Sequence, residues 1–178
     1  MPDLKEGRRL TPRATEIAAE ARALLEESGP QALTMRALAD RLGIKAPSLY
    51  KHFPDKQAVE AELVAQLLTE SAEACEEAER TGPGSLAALA SAYRDHALAH
   101  PHLYSLATER PLPRHALPEG LEERAAAPLV RACGGDADRA RAVWAFAHGM
   151  VTLEIHGRFP PGADLTGAWA TGTAALRP

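Results

Sequence analysis

Aromatic residues make up only 4% of this 178-residue chain. A core with so few rings must be filled by aliphatic side chains and alanine. The 46% hydrophobic content supplies them, much of it as Ala, which suits close-packed helices. No apolar run reaches the roughly 18 residues of a membrane span, so neither a spanning segment nor a membrane partner is expected. The stretch Met1-Pro-Asp-Leu-Lys-Glu lacks the apolar core of a signal peptide. Cysteine is limited to Cys75 and Cys133, with neither a disulfide framework nor zinc spacing, which points to a reducing cytoplasm. Gly-rich phosphate loop, nucleophile elbow and catalytic triad are all missing. No catalytic residue, cofactor or enzymatic activity is therefore expected. Lysine is scarce, and Lys5, Lys45, Lys51 and Lys56 all fall in the first 56 residues. That part holds ten Lys/Arg and eight Asp/Glu, a net +2, whereas the remainder holds ten and sixteen, a net −6. A positive end on an acidic body suits contact with phosphate at one end only.

The most informative stretch is Leu42-Gly-Ile-Lys-Ala-Pro-Ser-Leu-Tyr-Lys-His-Phe-Pro-Asp-Lys56. Gly43 tolerates the left-handed conformation that ends a helix. Pro47 opens the next one, since its missing N–H is no loss in a first turn. Pro54 cannot continue it, so a helix of about two turns is expected between the prolines. At helical spacing Leu49 and Phe53 share an inward face, leaving Pro47, Tyr50 and Lys51 to project away from it. A preceding short helix from Met35 to Leu42, capped by Thr34, buries Leu38 and Leu42. Two short helices joined at a glycine make a helix-turn-helix, which offers its second helix to a major groove.

The strings Thr34-Met-Arg-Ala-Leu-Ala-Asp-Arg-Leu-Gly-Ile and Pro47-Ser-Leu-Tyr-Lys-His-Phe-Pro-Asp-Lys56 resemble the DNA-binding domain of the tetracycline-repressor (TetR) family. The likeness runs from about Arg13 to Leu67. It implies a dimeric bacterial transcription regulator, with double-stranded DNA carrying a pseudo-palindromic operator as partner. The expected DNA-binding set is Arg36, Lys45, Ala46, Pro47, Ser48, Tyr50, Lys51, His52 and Lys56. Lys45 and Ala46, at the start of the third helix, would meet base edges. Ala46 reaches only a thymine methyl, so direct base reading is expected to be sparse. Lys56, at the start of the fourth helix, would meet a phosphate, aided by backbone amides there. Met1 to Leu10 reads as a polar arm, solvated or set against DNA, with Arg8, Arg9 and Arg13 as the candidates to reach phosphates or a minor groove.

The rest of the chain reads as helices. Thr11 and Pro12 start one that runs to Ser28 with the stripe Ile17, Ala21, Leu24, Leu25. Asp55 caps a long helix to about Glu79, whose far half (Glu70, Glu73, Glu76, Glu77, Glu79) reads as an exposed acidic face. By resemblance this helix links the DNA-binding and sensing parts. Further helices are expected over 85–100, 101–108, 119–133, 136–157 and 164–176, the fourth of these being the longest. Pro128 should kink or restart the helix that contains it. The string Trp144-x-x-x-His148-Gly149 resembles a segment in one TetR C-terminal subclass. Candidate ligand-binding residues are Tyr93, His96, Tyr104, Trp144 and His148. Candidate dimer-interface residues are Val151, Ile155, Leu165, Trp169, Gly172 and Leu176, on two helices that would form a four-helix interface with a second chain. His148, Glu154 and His156 either bond a ligand or hold helices together. His96-x-x-x-His100-x-His102 has ligand-like spacing, but Pro101 interrupts it and no acidic or thiol neighbour is adjacent, so no metal is expected.

The expected architecture is all-α. A helix-turn-helix domain covers residues 1–56, with the linking helix continuing to about residue 80. A ligand-binding and dimerisation domain covers 81–178. The function that follows is a homodimeric repressor released from DNA by an unidentified small-molecule effector. The alternatives are an all-helical ligand-binding protein or enzyme that carries a helix-turn-helix, and a DNA-binding protein with no effector.

Overall fold

The computed structural model describes residues 10–177; Arg8 and Arg9 of the expected arm lie outside them. The described residues form α-helices joined by turns, with no strand among them. The helices are α1 (Pro12–Ser28), α2 (Met35–Arg41), α3 (Ala46–Leu49), α4 (Lys56–Thr81), α5 (Leu86–Ala99), α6 (Pro101–Thr108), α7 (Leu121–Ala132), α8 (Ala137–Ile155) and α9 (Thr166–Ala175). A 3-10 turn, Arg114–Ala116, interrupts the proline-rich stretch before α7. Among the described residues, no helix is long and apolar enough to cross a membrane.

Side-chain caps account for most of the helix starts. Thr11 accepts a bond from the Ala14 amide, Thr34 from Ala37, Asp55 from Ala58 and Ser85 from Ala88. Asp136 takes two amides, those of Asp138 and Arg139, which satisfies two otherwise orphaned donors and holds its carboxyl below the usual range. α7 runs unbroken through Pro128, so the expected restart does not occur; Pro128 is fully buried.

The chain divides into two compact units. The first extends to Leu67 and takes in His100–Leu121; the second comprises Leu68–Ala99 and the chain from Glu122. This differs from a simple split near residue 80. Segment 100–121 belongs with the helix-turn-helix because α6 packs on α1: Leu103 and Leu106 are buried in one cluster with Ile17, Ala18, Ala21, Leu25, Leu38, Leu49, Phe53, Val59 and Leu63. Polar bonds fix the same contact. The Nδ1 of His102 lies 3.1 Å from both the Leu25 and Glu26 carbonyl oxygens. Both are acceptors, so Nδ1 carries the proton and donates to the end of α1. In return the Glu26 carboxylate accepts the Leu103 amide at the start of α6, at 3.3 Å. A positive φ of 78° at Gly29 turns the chain away beneath the His102 ring.

In the second unit, α5, α8 and α9 meet at one carboxylate. Glu154 of α8 accepts two bonds from Arg94 of α5, Nε at 3.0 Å and Nη2 at 2.6 Å. It also accepts the indole N–H of Trp169 of α9, at 2.8 Å. The Glu154 side chain is only 8% exposed, so this satisfaction is what makes its burial tolerable. Arg94 also lies over the Trp169 ring, 5.7 Å from its centroid. Beside this node the Phe146 ring fills the space above Gly172, where no side chain intervenes.

The acidic face of α4 is not simply solvated. Arg124 of α7 makes a two-pronged pair with Glu76, both bonds 2.8 Å, and Arg131 another with Glu79, at 2.7 and 2.6 Å. These bonds pull both carboxyls below their ordinary value. A lowered folded pKa contributes stability that is present above the ordinary range and is lost as pH falls through the lowered value.

Two outcomes are expected. Gly172→Ala forces a methyl into the Phe146 ring and should destabilise the second unit by about 1–3 kcal/mol in urea unfolding; an unchanged midpoint would show that the ring yields freely. The unfolding midpoint should also fall as pH drops below the ordinary carboxylate value of 4.5. Arg124→Gln with Arg131→Gln should flatten that acid limb, and an equally steep limb in the double variant would remove the ladder from the account.

Candidate nucleic-acid interface

The surface begins with a helix too short to stand alone. α3 has four residues, not the expected two turns. Its last turn tightens where the His52 amide bonds the Leu49 carbonyl three residues back, at 2.9 Å, and after the Phe53 amide reaches the same carbonyl, at 3.0 Å, Pro54 has no amide to extend the ladder. Two anchors hold it: Leu49 is completely buried and Phe53 nearly so, against Ile17, Leu38 and Val59. Gly43, at φ 65°, supplies the left-handed residue between α2 and α3. Arg41 ties α2 to α1, bonding Glu20 through Nε at 2.7 Å and Glu27 through both Nη atoms at 2.6 and 2.8 Å. The Glu27 carboxyl is held below its usual range by that bond.

With the inner face locked, the outer one is set. Lys45, Pro47, Tyr50 and Lys51 are exposed, and Tyr50 keeps half its surface open. Ala46, Ser48 and His52 are half-buried between them. Arg36, at the start of α2, is 93% exposed, and its acidic neighbour Asp40 is 3.9 Å away. Lys56 opens α4 with its ammonium 3.2 Å from Glu60. All nine residues expected to touch DNA therefore lie in the first unit, on α2, the α2–α3 turn, α3, the turn after it and the first residue of α4. Two neighbours were missed. Glu60 was visible as Lys56's i+4 partner on a helix. Arg110, 3.2 Å from Glu60, comes from fifty residues further on, and no local pattern announces it.

The other candidate residues lie on α5, α6, α8, α9 and the residues that cap α9. Tyr93 and His96 are half-buried on α5, and His148 is half-buried on α8. Tyr104 is buried on α6 in the first unit, because α6 packs on α1. Trp144 keeps half its surface exposed and stacks on His148, with centroids 5.6 Å apart. Burial pushes the His148 pKa down. Among the interface candidates, Val151 is fully buried, Trp169 is bound to Glu154, and Gly172 is covered by Phe146. Ile155, Leu165 and Leu176 are half-buried. Of the histidine trio, His102 is taken by the α1 carbonyls. His96 has an acidic neighbour after all, Glu70 at 3.8 Å, and His100 lies 3.8 Å from Glu26. Glu154 resolves as a holder of helices, through Arg94 and Trp169.

An all-helical chain that projects a short helix from a helix-turn-helix frame has the build of a transcription regulator. Residues 17–63 match the family described as bacterial regulatory proteins, tetR family, and residues 86–176 match the tetracyclin repressor-like C-terminal domain. The chain belongs to the TetR family. It is 31% identical over 153 residues to a helix-turn-helix-type transcriptional regulator of Mycobacterium tuberculosis, covering 75% of this chain and 66% of that protein. The chain thus spans slightly less than two thirds of that relative's length. It also resembles the crystal structure of the regulatory protein SCO4313, with a TM-score of 0.75, 27% identity, and coverage of 92% of this chain and 94% of that one. A TetR variant from Acinetobacter baumannii in complex with minocycline gives a TM-score of 0.65 at 25% identity, with 94% of each chain covered.

Leu49→Ala removes the anchor of α3 and should cost about 2–5 kcal/mol in chemical unfolding, with loss of DNA binding. Retention of full stability would mean that α3 is held by something other than this contact.

Proposed function

We propose that the chain is a homodimeric regulator that binds a pseudo-palindromic operator in double-stranded DNA and is released by a small molecule. The observation that carries this reading is the division of labour on α3 and its flanks. Leu49 and Phe53 are sunk in the core, while Lys45, Tyr50 and Lys51 stand outward beside the open Arg36. Two such surfaces related by a two-fold axis would enter successive major grooves roughly 34–36 Å apart. Lys45 is the candidate for a guanine edge, with Arg36 beside it. Ser48, Tyr50, Lys51, His52 and Lys56 would grip the phosphate backbone and fix register. Arg36 also stands too far from Asp40 for a firm pair, so a DNA partner displaces little.

For the effector, support comes from the C-terminal match and from the structural relative that holds minocycline. The ligand would bind in the second unit and act through its different affinity for two conformations. For the dimer, support comes from α8, α9 and the residues that cap α9, which carry Val151, Ile155, Leu165, Trp169, Gly172 and Leu176, and from the apolar surface that Trp144 and Leu153 leave uncovered on α8.

Binding to DNA from beside the chain's own gene, followed by fluorescence anisotropy, tests the reading. Tyr50→Ala should leave the unfolding free energy within about 0.5 kcal/mol of wild type and weaken binding at least several-fold. Lys56→Ala should lower the salt slope by about one with little change in sequence preference. Equal binding by wild type and Tyr50→Ala would refute the reading surface, and a monomer by sedimentation at micromolar concentration would refute the two-fold arrangement. DNA affinity that no small molecule alters would favour the effector-independent alternative.

A further inference from the structure

Lys56 is not an unencumbered cation. Its ammonium lies 3.2 Å from Oε1 of Glu60, four residues on. The Glu60 side chain is only 13% exposed, whereas Lys56 is 36% exposed. A phosphate that takes Lys56 must draw it away from a carboxylate with little access to water. Leaving such a carboxylate alone is costly, because its charge would lose both partner and solvent. The Lys-before-Glu order is also the weaker of the two i,i+4 orientations, so the pair itself is easily opened. The obstacle is the fate of Glu60, not the strength of its bond to Lys56.

Arg110 removes that obstacle. Its Nη1 lies 3.2 Å from Oε2 of Glu60 and 3.4 Å from Oε1, while its own side chain is 58% exposed. One carboxylate therefore faces two cations, and the cluster carries a net positive charge. When Lys56 swings to a phosphate, Glu60 keeps a charged partner. Without Arg110, Glu60 and Lys56 close into a neutral pair and the site offers DNA no net charge.

We propose that Arg110 is a positioning residue for DNA binding, which holds Glu60 so that Lys56 is free to meet a phosphate. The proposal rests on the reading of Lys56 as a phosphate contact. It concerns a residue from the segment that follows α6, outside the helix-turn-helix and just beyond Glu109, the residue that closes α6. Any event that withdraws residues 109–111 from α4 returns Lys56 to Glu60 and weakens the grip on DNA, with no change in α3.

The test is a cycle of variants measured by anisotropy on the same DNA across a salt series, each checked by thermal unfolding. Arg110→Ala should weaken binding about three- to tenfold at roughly 0.1 M salt, and Arg110→Lys, which keeps the charge, should recover most of it. Glu60→Gln should bind at least as tightly as wild type. In the Glu60→Gln background, and equally in Lys56→Ala, adding Arg110→Ala should change affinity by less than about twofold, because the competition no longer exists. The proposal is overturned if Arg110→Ala binds like wild type. It is equally overturned if Arg110→Ala costs as much in the Glu60→Gln background as in the wild-type chain and lowers the salt slope by about one, since Arg110 would then touch phosphate itself. Should Lys56→Ala leave the slope unchanged, the phosphate reading of Lys56 fails, and this inference fails with it.

Discussion

Burial of Leu49 and Phe53 is the contact on which the candidate DNA surface depends. A helix of four residues cannot persist by its own hydrogen bonds, since nucleation is unfavourable and no length remains to repay it. α3 exists because two side chains one turn apart are sunk among α1, α2 and α4. Those anchors also fix its rotation, and rotation decides that Tyr50 and Lys51 face outward. Arg41, bonded to Glu20 and Glu27, then holds α2 on α1, so the platform under α3 does not slide.

The same unit reaches further along the chain than the helix-turn-helix. α6 caps the end of α1 through His102 and is capped in return by Glu26. Exchanging a ring N–H for a carboxylate suits both helix dipoles, with positive character at one C-terminus and negative at one N-terminus. Arg110 follows directly and meets Glu60 beside Lys56. The chain enters this unit from α5 at His100 and leaves it at Leu121. The surface proposed for DNA is thus tied, by covalent continuity and by these bonds, to a segment far from it in sequence.

In the second unit polar and apolar packing converge on Glu154. A carboxylate 8% exposed is tolerated because Arg94 and Trp169 both donate to it. The node draws Trp169 and Gly172 inward and leaves Trp144 out. Periodicity places Val151 and Trp144 on one side of α8, yet one is fully buried and the other half-exposed.

Much was legible in the residues alone: the all-helical class, the caps at Thr11, Thr34 and Asp55, the glycine turn at Gly43, and the inward pair Leu49 and Phe53. These are local effects of backbone dihedrals, missing donors and helical spacing, and such physics acts within a few residues. The length of α3 was misread because its last turn tightens where the His52 amide bonds Leu49 three residues back, before the proline is reached. What only the tertiary structure decided were pairings across long separations: α6 on α1, Arg124 and Arg131 on the acidic face of α4, Arg94 and Trp169 on Glu154, and Arg110 on Glu60. A charged side chain announces that it needs a partner, but sequence spacing names that partner only within one helix. Across helices the choice follows from how apolar faces pack, and it was that packing which brought Arg110 beside Lys56.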